Sequence, residues 1–383
     1  MDFTLNDEQT MIRDMCREFA EEEIKPRAEE MDRTAEFPYE IVRKMGGLGL
    51  LGLPFPEEEG GAGADFLSYC VALEEIGRGD ASVGITMEAH ISLGATPFHL
   101  FGSEEQKRRY LIPLARGEKL WSFGLTEPNA GSDSGGTETH AEREGDQWRI
   151  NGSKSFITNA GTEMSGGVTI TAVTGWEANG HKQITNFIVP RGTPGYEIGA
   201  AYHKMGWRAS DTRPLSFQDC LVADEQRLGE PGDGFHQFMT ILDAGRVAIS
   251  ALNVGLAQAC FEESLKYSRE RKQFGRPISA FQAIQFKLAD MAMEIELSRL
   301  MYYKAAWLHM RNLPYGREAS MAKLYSSETA KRCADQAVQI HGGYGFMDEY
   351  PVSRFWRNVK VHEIGEGTSE VQRSLIAKSL LRS

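Results

Sequence analysis

Near the C-terminus, Ile364-Gly365-Glu366-Gly367-Thr368-Ser369-Glu370 sets one carboxylate between two glycines. A helical stretch follows, which Thr368 can cap. On its own, Glu366 is ordinarily read as a solvated loop charge, although the same group could accept a proton. Four other segments carry residue types that suit a flat, phosphate-bearing ligand. Leu125-Thr126-Glu127-Pro128-Asn129-Ala130-Gly131-Ser132-Asp133 offers small residues, hydroxyls and exposed amides, through which backbone can approach a phosphate or a polar ring edge. Phe156-Ile157-Thr158-Asn159-Ala160 places an aromatic and a hydroxyl two apart, on one face of a strand. That pair could stack on and hydrogen-bond to a heterocycle, or it could be core plus an exposed threonine. Arg271-Lys272-Gln273-Phe274-Gly275 follows a long helical run. It is either a basic C-terminal cap or, through the fork of Arg271, a pyrophosphate contact. Gln339-Ile340-His341-Gly342-Gly343-Tyr344-Gly345 ends a helix with glycines that also allow a ligand close to the backbone. A sixth segment, Gly47-Leu48-Gly49-Leu50-Leu51-Gly52, matches GxGxxG. A helix precedes it and Pro54 and Pro56 follow, so a helix C-cap and turn is predicted there, not a dinucleotide loop.

The elements that would hold these segments change character twice along the chain. Residues 1–120 read as helices. Asn6 with Gln9 forms a capping box, and Ile12, Met15 and Phe19 follow at helical spacing. Further helices are expected over Tyr39–Met45, Leu67–Ile76 and Glu104–Leu114. Residues 121–230 hold short β-rich runs between turn signals. Trp148-Arg149-Ile150, the Asn151-Gly152 dipeptide and Ser155-Phe156-Ile157-Thr158 predict a hairpin. Val168–Val173, Ile184–Val189 and Leu215–Val222 are further strands. Residues 231–383 return to long helical runs at Phe235–Arg271, Phe281–Met310, Ala319–Ile340 and Ser369–Leu381. The expected fold is α+β, mainly α: an N-terminal helical domain, a middle antiparallel β-barrel or sandwich, and a C-terminal four-helix bundle.

Composition narrows the function classes. The 383 residues give room for two or three domains with real cores. Net charge is −12, which argues against a binder of nucleic acid but leaves room for a local cationic pocket. No apolar run suggests a membrane span, and no basic and apolar leader opens the chain. Cys16, Cys70, Cys220, Cys260 and Cys333 form no metal or disulfide spacing, so a reducing cytoplasmic setting and no metal are expected.

Taken together and in this order, TEPNAGSD, FITNA, RKQFG, QIHGGYG and EGTSE make the whole chain resemble an acyl-CoA dehydrogenase. The resemblance implies one FAD per subunit, a homotetramer built as a dimer of dimers, an acyl-CoA substrate, and electron-transfer flavoprotein as the partner that takes the electrons. It makes Glu366 the base that removes the α proton while a hydride leaves the β carbon for the flavin, giving a trans-2-enoyl-CoA. Such a base needs a dry slot, where desolvation raises its proton affinity. The Glu366 backbone N–H and a cofactor hydroxyl would polarise the thioester oxygen. Phe123, Leu125, Thr126, Ser132, Phe156 and Thr158 match flavin-contacting positions. Arg271, Gln273, Phe274 and the Gln339–Gly343 segment, with Gly342 and Gly343, match positions that reach FAD across a dimer interface. Thr368 and Glu370 match contacts near the ADP portion. Ser132, Asp243 and Arg246 match CoA contacts, and Gly365 and Gly367 flank the substrate.

Three positions depart from the common pattern of that family. Phe156 stands where many members have Trp, and Glu370 where Gln is common. Gly365 stands where straight-chain members carry Tyr, which implies a pocket wide enough for short or branched acyl groups. Isovaleryl-type members place their base on the long helix instead; here that position is Gly245, which has no carboxylate. Ile85 and Glu88 align with the acyl pocket. A flavin oxidase or monooxygenase on the same fold, and a catalytically silent binding subunit, are the alternatives.

Overall fold

The structure, a computed structural model, describes residues 4–178 and 180–381. Helices come first: α1 (Asp7–Phe19), α2 (Ala28–Thr34), α3 (Tyr39–Gly47), α4 (Phe66–Gly79), α5 (Ala81–Glu88), α6 (Thr96–Phe101), α7 (Glu104–Gln106) and α8 (Ile112–Ala115). The Asn6–Gln9 capping box is present, with Asn6 Oδ1 accepting from Gln9 N at 2.8 Å and Gln9 Oε1 from Asn6 N at 3.0 Å. The GxGxxG segment is the end of α3 followed by one 3-10 turn, Leu50–Gly52, as its neighbouring prolines require.

The middle of the chain forms one sheet. Its strands are β1 (Leu120–Gly124), β2 (His140–Glu144), β3 (Gln147–Thr158), β4 (Ser165–Trp176), β5 (Lys182–Pro190), β6 (Tyr196–Ile198), β7 (Thr212–Ala223) and β8 (Arg227–Leu228). The order is β6-β7-β3-β2-β4-β5-β8, with β1 also on β4. Most pairs are antiparallel, but β1 and β2 each run parallel to β4.

The Asn151-Gly152 hairpin does not form. β3 runs straight through it, and the register against β7 shifts between Ile150 and Gly152. The glycine is needed for another reason: a β-carbon at 152 would lie 2.4 Å from Thr139 Oγ1. The turn that does reverse the chain is Gly145-Asp146, which joins β2 to β3 where Glu144 pairs with Gln147. A second shift, between Lys154 and Ile157, leaves Phe156 with φ +62°. Its outward position therefore comes from a bulge, not from the simple alternation of a flat strand.

Long helices close the fold: α9 (Gly234–Glu270), α10 (Gln282–Met310), α11 (Gly316–His341), α12 (Pro351–Val359) and α13 (Ser369–Leu381). A short ribbon, β9 (Lys272–Gln273) with β10 (Arg276–Pro277), separates α9 from α10. α9, α10 and α11 pack along one another, and α13 closes on α11. α9 is long and apolar enough to cross a membrane, yet 78% of its most apolar stretch is buried against other elements, which marks a core helix. Two glycines let α4 lie directly on α9. A β-carbon at Gly255 would be 2.1 Å from the Glu74 carbonyl oxygen, and one at Gly77 would be 2.4 Å from Leu252 Cδ1. That close crossing brings α5, which continues from α4, against the first half of α9. All five cysteines are buried and unbridged.

Candidate active site

Glu366 sits in the loop between the 3-10 turn Lys360–Glu363 and α13. Its φ is +55°, a left-handed conformation that costs a non-glycine residue free energy and must be held by its surroundings. Two buried side chains hold it. Lys323 Nζ on α11 donates to the Gly367 carbonyl at 2.8 Å, and Gln372 Nε2 on α13 donates to the carbonyls of Glu366 and Gly367 at 3.0 and 3.1 Å. Thr368 Oγ1 caps α13 by accepting from Val371 N at 3.3 Å. Gly367 has φ +95°, and a β-carbon there would lie 2.8 Å from Gln372 Nε2. Gly365 is different: an added β-carbon would meet only the Val361 carbonyl, at 3.5 Å, so the position opens on free space.

The Glu366 carboxylate turns inward onto the bare backbone of Gly245 in α9. Both of its oxygens are shut off from solvent, and no N–H or hydroxyl among the described residues donates to either. Burial raises its proton affinity, opposed by the neighbouring Glu88 carboxyl and by the positive charges of Lys323 and Arg246. Glu88, the last residue of α5, is buried beside it with both oxygens equally without such a donor. Burial, and then the charge of Glu366, push the Glu88 carboxyl well above the usual carboxylate range. Tyr69 and Ser92 share a hydrogen bond of 3.1 Å next to Glu88. Arg246, also buried, pairs with Asp243 at 2.6 Å, and its Nε finds no acceptor among the described residues.

The segments singled out for a flavin cofactor gather at two places. Phe123 and Leu125 pack on Phe238 and Ile241 of α9. Ser155 N donates to the Thr126 carbonyl at 2.8 Å, which ties the loop after β1 to the FITNA strand. Phe156 is 65% exposed against Tyr202, while Thr158 is half-buried with its carbonyl accepting from Ser122 Oγ at 2.7 Å. Asn159 Nδ2 donates to the Thr86 carbonyl at 3.0 Å, so this strand end is fastened to the helix that carries Glu88. Ser132 is exposed.

The second place is a cavity of about 560 Å³ at the far end of the bundle, lined by Arg271, Gln273, Tyr267, Gly342, Gly343 and Tyr344 among others. β-carbons at Gly342 and Gly343 would meet nothing within 4 Å, so bare backbone faces open space there. Arg271 lies over the Tyr344 ring at 5.4 Å. Phe274, 92% exposed, and Gln339 fall outside that lining. Glu370 is exposed. A guanidinium beside accessible glycine backbone suits a pyrophosphate, and an exposed aromatic on a bulged strand suits a flat ring, so the residues present fit FAD.

Sequence reasoning singled out neither the residues that hold these loops nor the pairing of Glu88. Lys154 on β3 is fully buried and donates to Glu127 Oε1 of the TEPNAGSD loop at 2.6 Å and to Thr171 Oγ1 at 3.0 Å. Glu127 also accepts from Glu138 N at 2.6 Å and from the Thr137 hydroxyl. Burial alone would raise the Glu127 carboxyl; Lys154 and these donors outweigh it and hold the group down at about 2. At the other flank, Trp207 Nε1 donates to His362 Nε2 at 3.1 Å. His362 Nδ1 therefore carries the proton and donates to Asn253 Oδ1, while Asn253 Nδ2 donates to Ser326 Oγ at 2.9 Å. Burial pushes the His362 imidazole down to about 3, so it is neutral. One clue to Lys323 was visible: it sits among Ala319, Ala322, Ser326, Ser327 and Ala330, the small-residue face of α11.

Known proteins give the same picture. The acyl-CoA dehydrogenase N-terminal, middle and C-terminal domain families match residues 6–118, 122–220 and 232–381. The chain is 54% identical to the probable acyl-CoA dehydrogenase YngJ of Bacillus subtilis (strain 168), over all of both chains. It superposes with TM-score 0.96 on butyryl-CoA dehydrogenase of Megasphaera elsdenii, 42% identical and covered fully on both sides. It superposes equally well, TM-score 0.96 with 44% identity and full coverage of both, on a chain in a structure described as the electron transferring flavoprotein of Acidaminococcus fermentans. With all three domain families in order and relatives of this identity along its whole length, the chain belongs to the acyl-CoA dehydrogenase family, FAD-dependent oxidoreductases that act on a CH–CH bond.

Proposed function

We propose that this protein dehydrogenates a short or branched acyl-CoA between its α and β carbons, with Glu366 as the base. The observation that carries this reading is the Glu366 carboxylate, shut off from water with no N–H or hydroxyl among the described residues donating to either oxygen. A carboxylate so desolvated binds a proton more tightly than one in water, which suits it to take the α proton of a thioester. Bound FAD supplies the acceptor for the hydride that leaves the β carbon. Lys323 and Gln372 fix the loop so that the carboxylate stays aimed inward. The Glu366 backbone N–H polarises the thioester oxygen and so acidifies the α carbon. Arg246 and Asp243, with Ser132, orient the CoA portion. The open space at Gly365 supports an acyl group with bulk near the α and β carbons, and the likeness to a butyryl-CoA dehydrogenase supports a short one.

The electrons pass to electron-transfer flavoprotein in this reading, which the likeness to the Acidaminococcus chain supports. The active form is a homotetramer in which Arg271, Gln273, Phe274 and the Gln339–Gly343 segment complete the FAD site of a second copy. Exposed Phe274 and Phe346, at 92% and 81%, support a covered surface there. Domain boundaries fall near residues 120 and 230.

The test is anaerobic mixing of the yellow holoenzyme with isobutyryl-, 2-methylbutyryl-, isovaleryl-, butyryl- and octanoyl-CoA, followed by flavin absorbance. Short or branched thioesters bleach it fastest, and Glu366→Gln slows bleaching by about 10²–10⁴-fold. Preference for octanoyl-CoA overturns the substrate assignment. Rapid reoxidation of the reduced flavin in air overturns the assignment of the acceptor.

A further inference from the structure

Phe156 is the exposed aromatic of the bulged strand, and the ring that steadies it comes from another segment. The ladder between β3 and β7 pairs Lys154 with Leu215 and Ile157 with Arg213, so Ser155 and Phe156 fall opposite Pro214. A proline has no N–H to give the ladder, and the bulge forms there. Ser155 N turns instead to the Thr126 carbonyl at 2.8 Å. Phe156 is left with φ +62°, a backbone that a bulky residue keeps only where its neighbours hold it. The ring beside it is that of Tyr202, with centroids 5.3 Å apart and planes at 39°.

Tyr202 lies in the segment 199–211, which joins β6 to β7 and is tied down along its length. Gly199 N donates to the Pro214 carbonyl at 2.9 Å. A β-carbon at 199 would stand 2.7 Å from Pro214 Cγ, so a side chain there would push the segment away from the bulge. Tyr202 N donates to the Thr212 carbonyl at 3.1 Å, and half-buried Lys204 donates through Nζ to Thr212 Oγ1 at 2.9 Å and to the Ser210 carbonyl. Thr212 is itself paired with Thr158, two residues beyond Phe156. Farther along, Trp207 N donates to Asn358 Oδ1 at 2.8 Å and Trp207 Nε1 to His362 Nε2 at 3.1 Å. The Tyr202 ring thus stands on backbone fixed both to the strand that bears Phe156 and to the segment that leads to Glu366.

We propose that Tyr202 is a positioning residue for the flavin site: its ring buttresses Phe156, which is thereby set for a flat cofactor before FAD binds. A ring already held in its bound orientation loses less freedom when the ligand arrives, so the complex is tighter. The inference rests on Phe156 facing the flavin, and it holds for any acyl-CoA the enzyme takes.

The experiment follows release of FAD from diluted holoenzyme, as the rise of free-flavin fluorescence, beside the visible circular dichroism of the bound flavin. Neither readout needs turnover. In Tyr202→Leu, which keeps apolar bulk without the ring, release is about three- to tenfold faster, the size of one aromatic pair, and the flavin dichroism changes. Tyr202→Phe keeps both at wild-type values. Phe156→Leu also releases FAD faster, and adding Tyr202→Leu to it changes nothing further, because the two residues act as one unit. Equal release from wild type and Tyr202→Leu overturns the proposal. So does a Tyr202→Leu effect that persists in full on the Phe156→Leu background, the mark of a general loosening of the segment. Failure of the flavin reading of Phe156 looks different and removes the proposal with it: Phe156→Leu alone then leaves release and dichroism at wild-type values.

Discussion

Glu366 rests directly on Gly245: a β-carbon built at 245 would stand 3.0 Å from Glu366 Oε2 and 3.4 Å from its Cδ. The backbone of α9 is thus one wall of the slot that holds the base. A side chain at 245 and a carboxylate at 366 compete for the same volume. This gives a physical reason why, with the acid at 366, position 245 of this chain is a glycine.

Gly245→Ala separates catalysis from stability. Alanine inside a helix is worth about 0.5–1 kcal/mol over glycine, so the melting temperature holds or rises. The added methyl displaces the carboxylate by a few tenths of an ångström, and kcat falls about tenfold, since sub-ångström aim matters in proton transfer. Stopped-flow flavin reduction beside calorimetry measures both signs on one preparation.

Gly365→Tyr tests the open space beside the base. The ring fills the open space at Gly365, which the proposed function assigns to the acyl group. Flavin reduction by isobutyryl- or 2-methylbutyryl-CoA falls by at least about tenfold, while that by butyryl-CoA falls less, a discrimination of the size small hydrophobic groups give. Equal losses on both would place the acyl chain elsewhere.

Lys154→Met leaves Glu127 buried without its cation. Breaking one side of a buried pair costs about 3–5 kcal/mol. The loop carrying Leu125, Thr126 and Ser132 loosens with it, so flavin content falls together with stability. Glu127→Gln in the Lys154→Met background removes the stranded charge and recovers part of the loss. Denaturant midpoints and the ratio of flavin to protein absorbance report the two effects.

His362 sets a pH dependence of stability with a definite sign. Its folded-state value, down at about 3, lies below the unfolded value of about 6.5, so the unfolded chain binds the proton first as pH falls. Stability therefore declines as pH drops from about 6.5 to about 3, by up to about 1.4 kcal/mol per pH unit from this group. His362→Gln keeps an acceptor for Trp207 and a donor for Asn253 but does not titrate. Its urea midpoint is flatter over that window than the wild-type one, and parallel curves would show that His362 is not the titrating group.

How much of this was legible in the sequence depends on the range of the interaction involved. Asn6 and Gln9 announced α1 because a capping box is closed within four residues. The GxGxxG decoy was dismissed correctly because its neighbours, a helix and two prolines, are local as well. Asn151-Gly152 misled because a glycine needed for a turn and one needed for close approach look identical in one dimension. What distinguishes them is Thr139 on the neighbouring strand. The parallel pairings of β1 and β2 with β4 were hidden for the same reason, since strand direction is set by connections and not by composition. Glu366 by itself read as a solvated loop charge, and only the resemblance of the five segments together made it the base. Glu88 was aligned with the acyl pocket by resemblance alone, and its approach to the base was not legible, because that depends on α4 crossing α9 at Gly255 and Gly77. Lys323 acts on the Gly367 carbonyl far along the chain, while Gln372 turns back on carbonyls five and six residues before it, a reach that no local motif names.

The hydrogen-bonded line from Trp207 through His362 and Asn253 to Ser326 joins a loop of the sheet region to the segment that ends in the base. Trp207 N also donates to Asn358 Oδ1 at 2.8 Å, so the joint is double. The sheet therefore cannot fray away from the helices without stripping partners from a buried imidazole and a buried amide. In hydrogen–deuterium exchange the amides around 207 and those of 358–367 open as one cooperative unit, at the same free energy, rather than in two separate steps. The loop that carries Trp207 and the segment that bears the acid thus share a single clock.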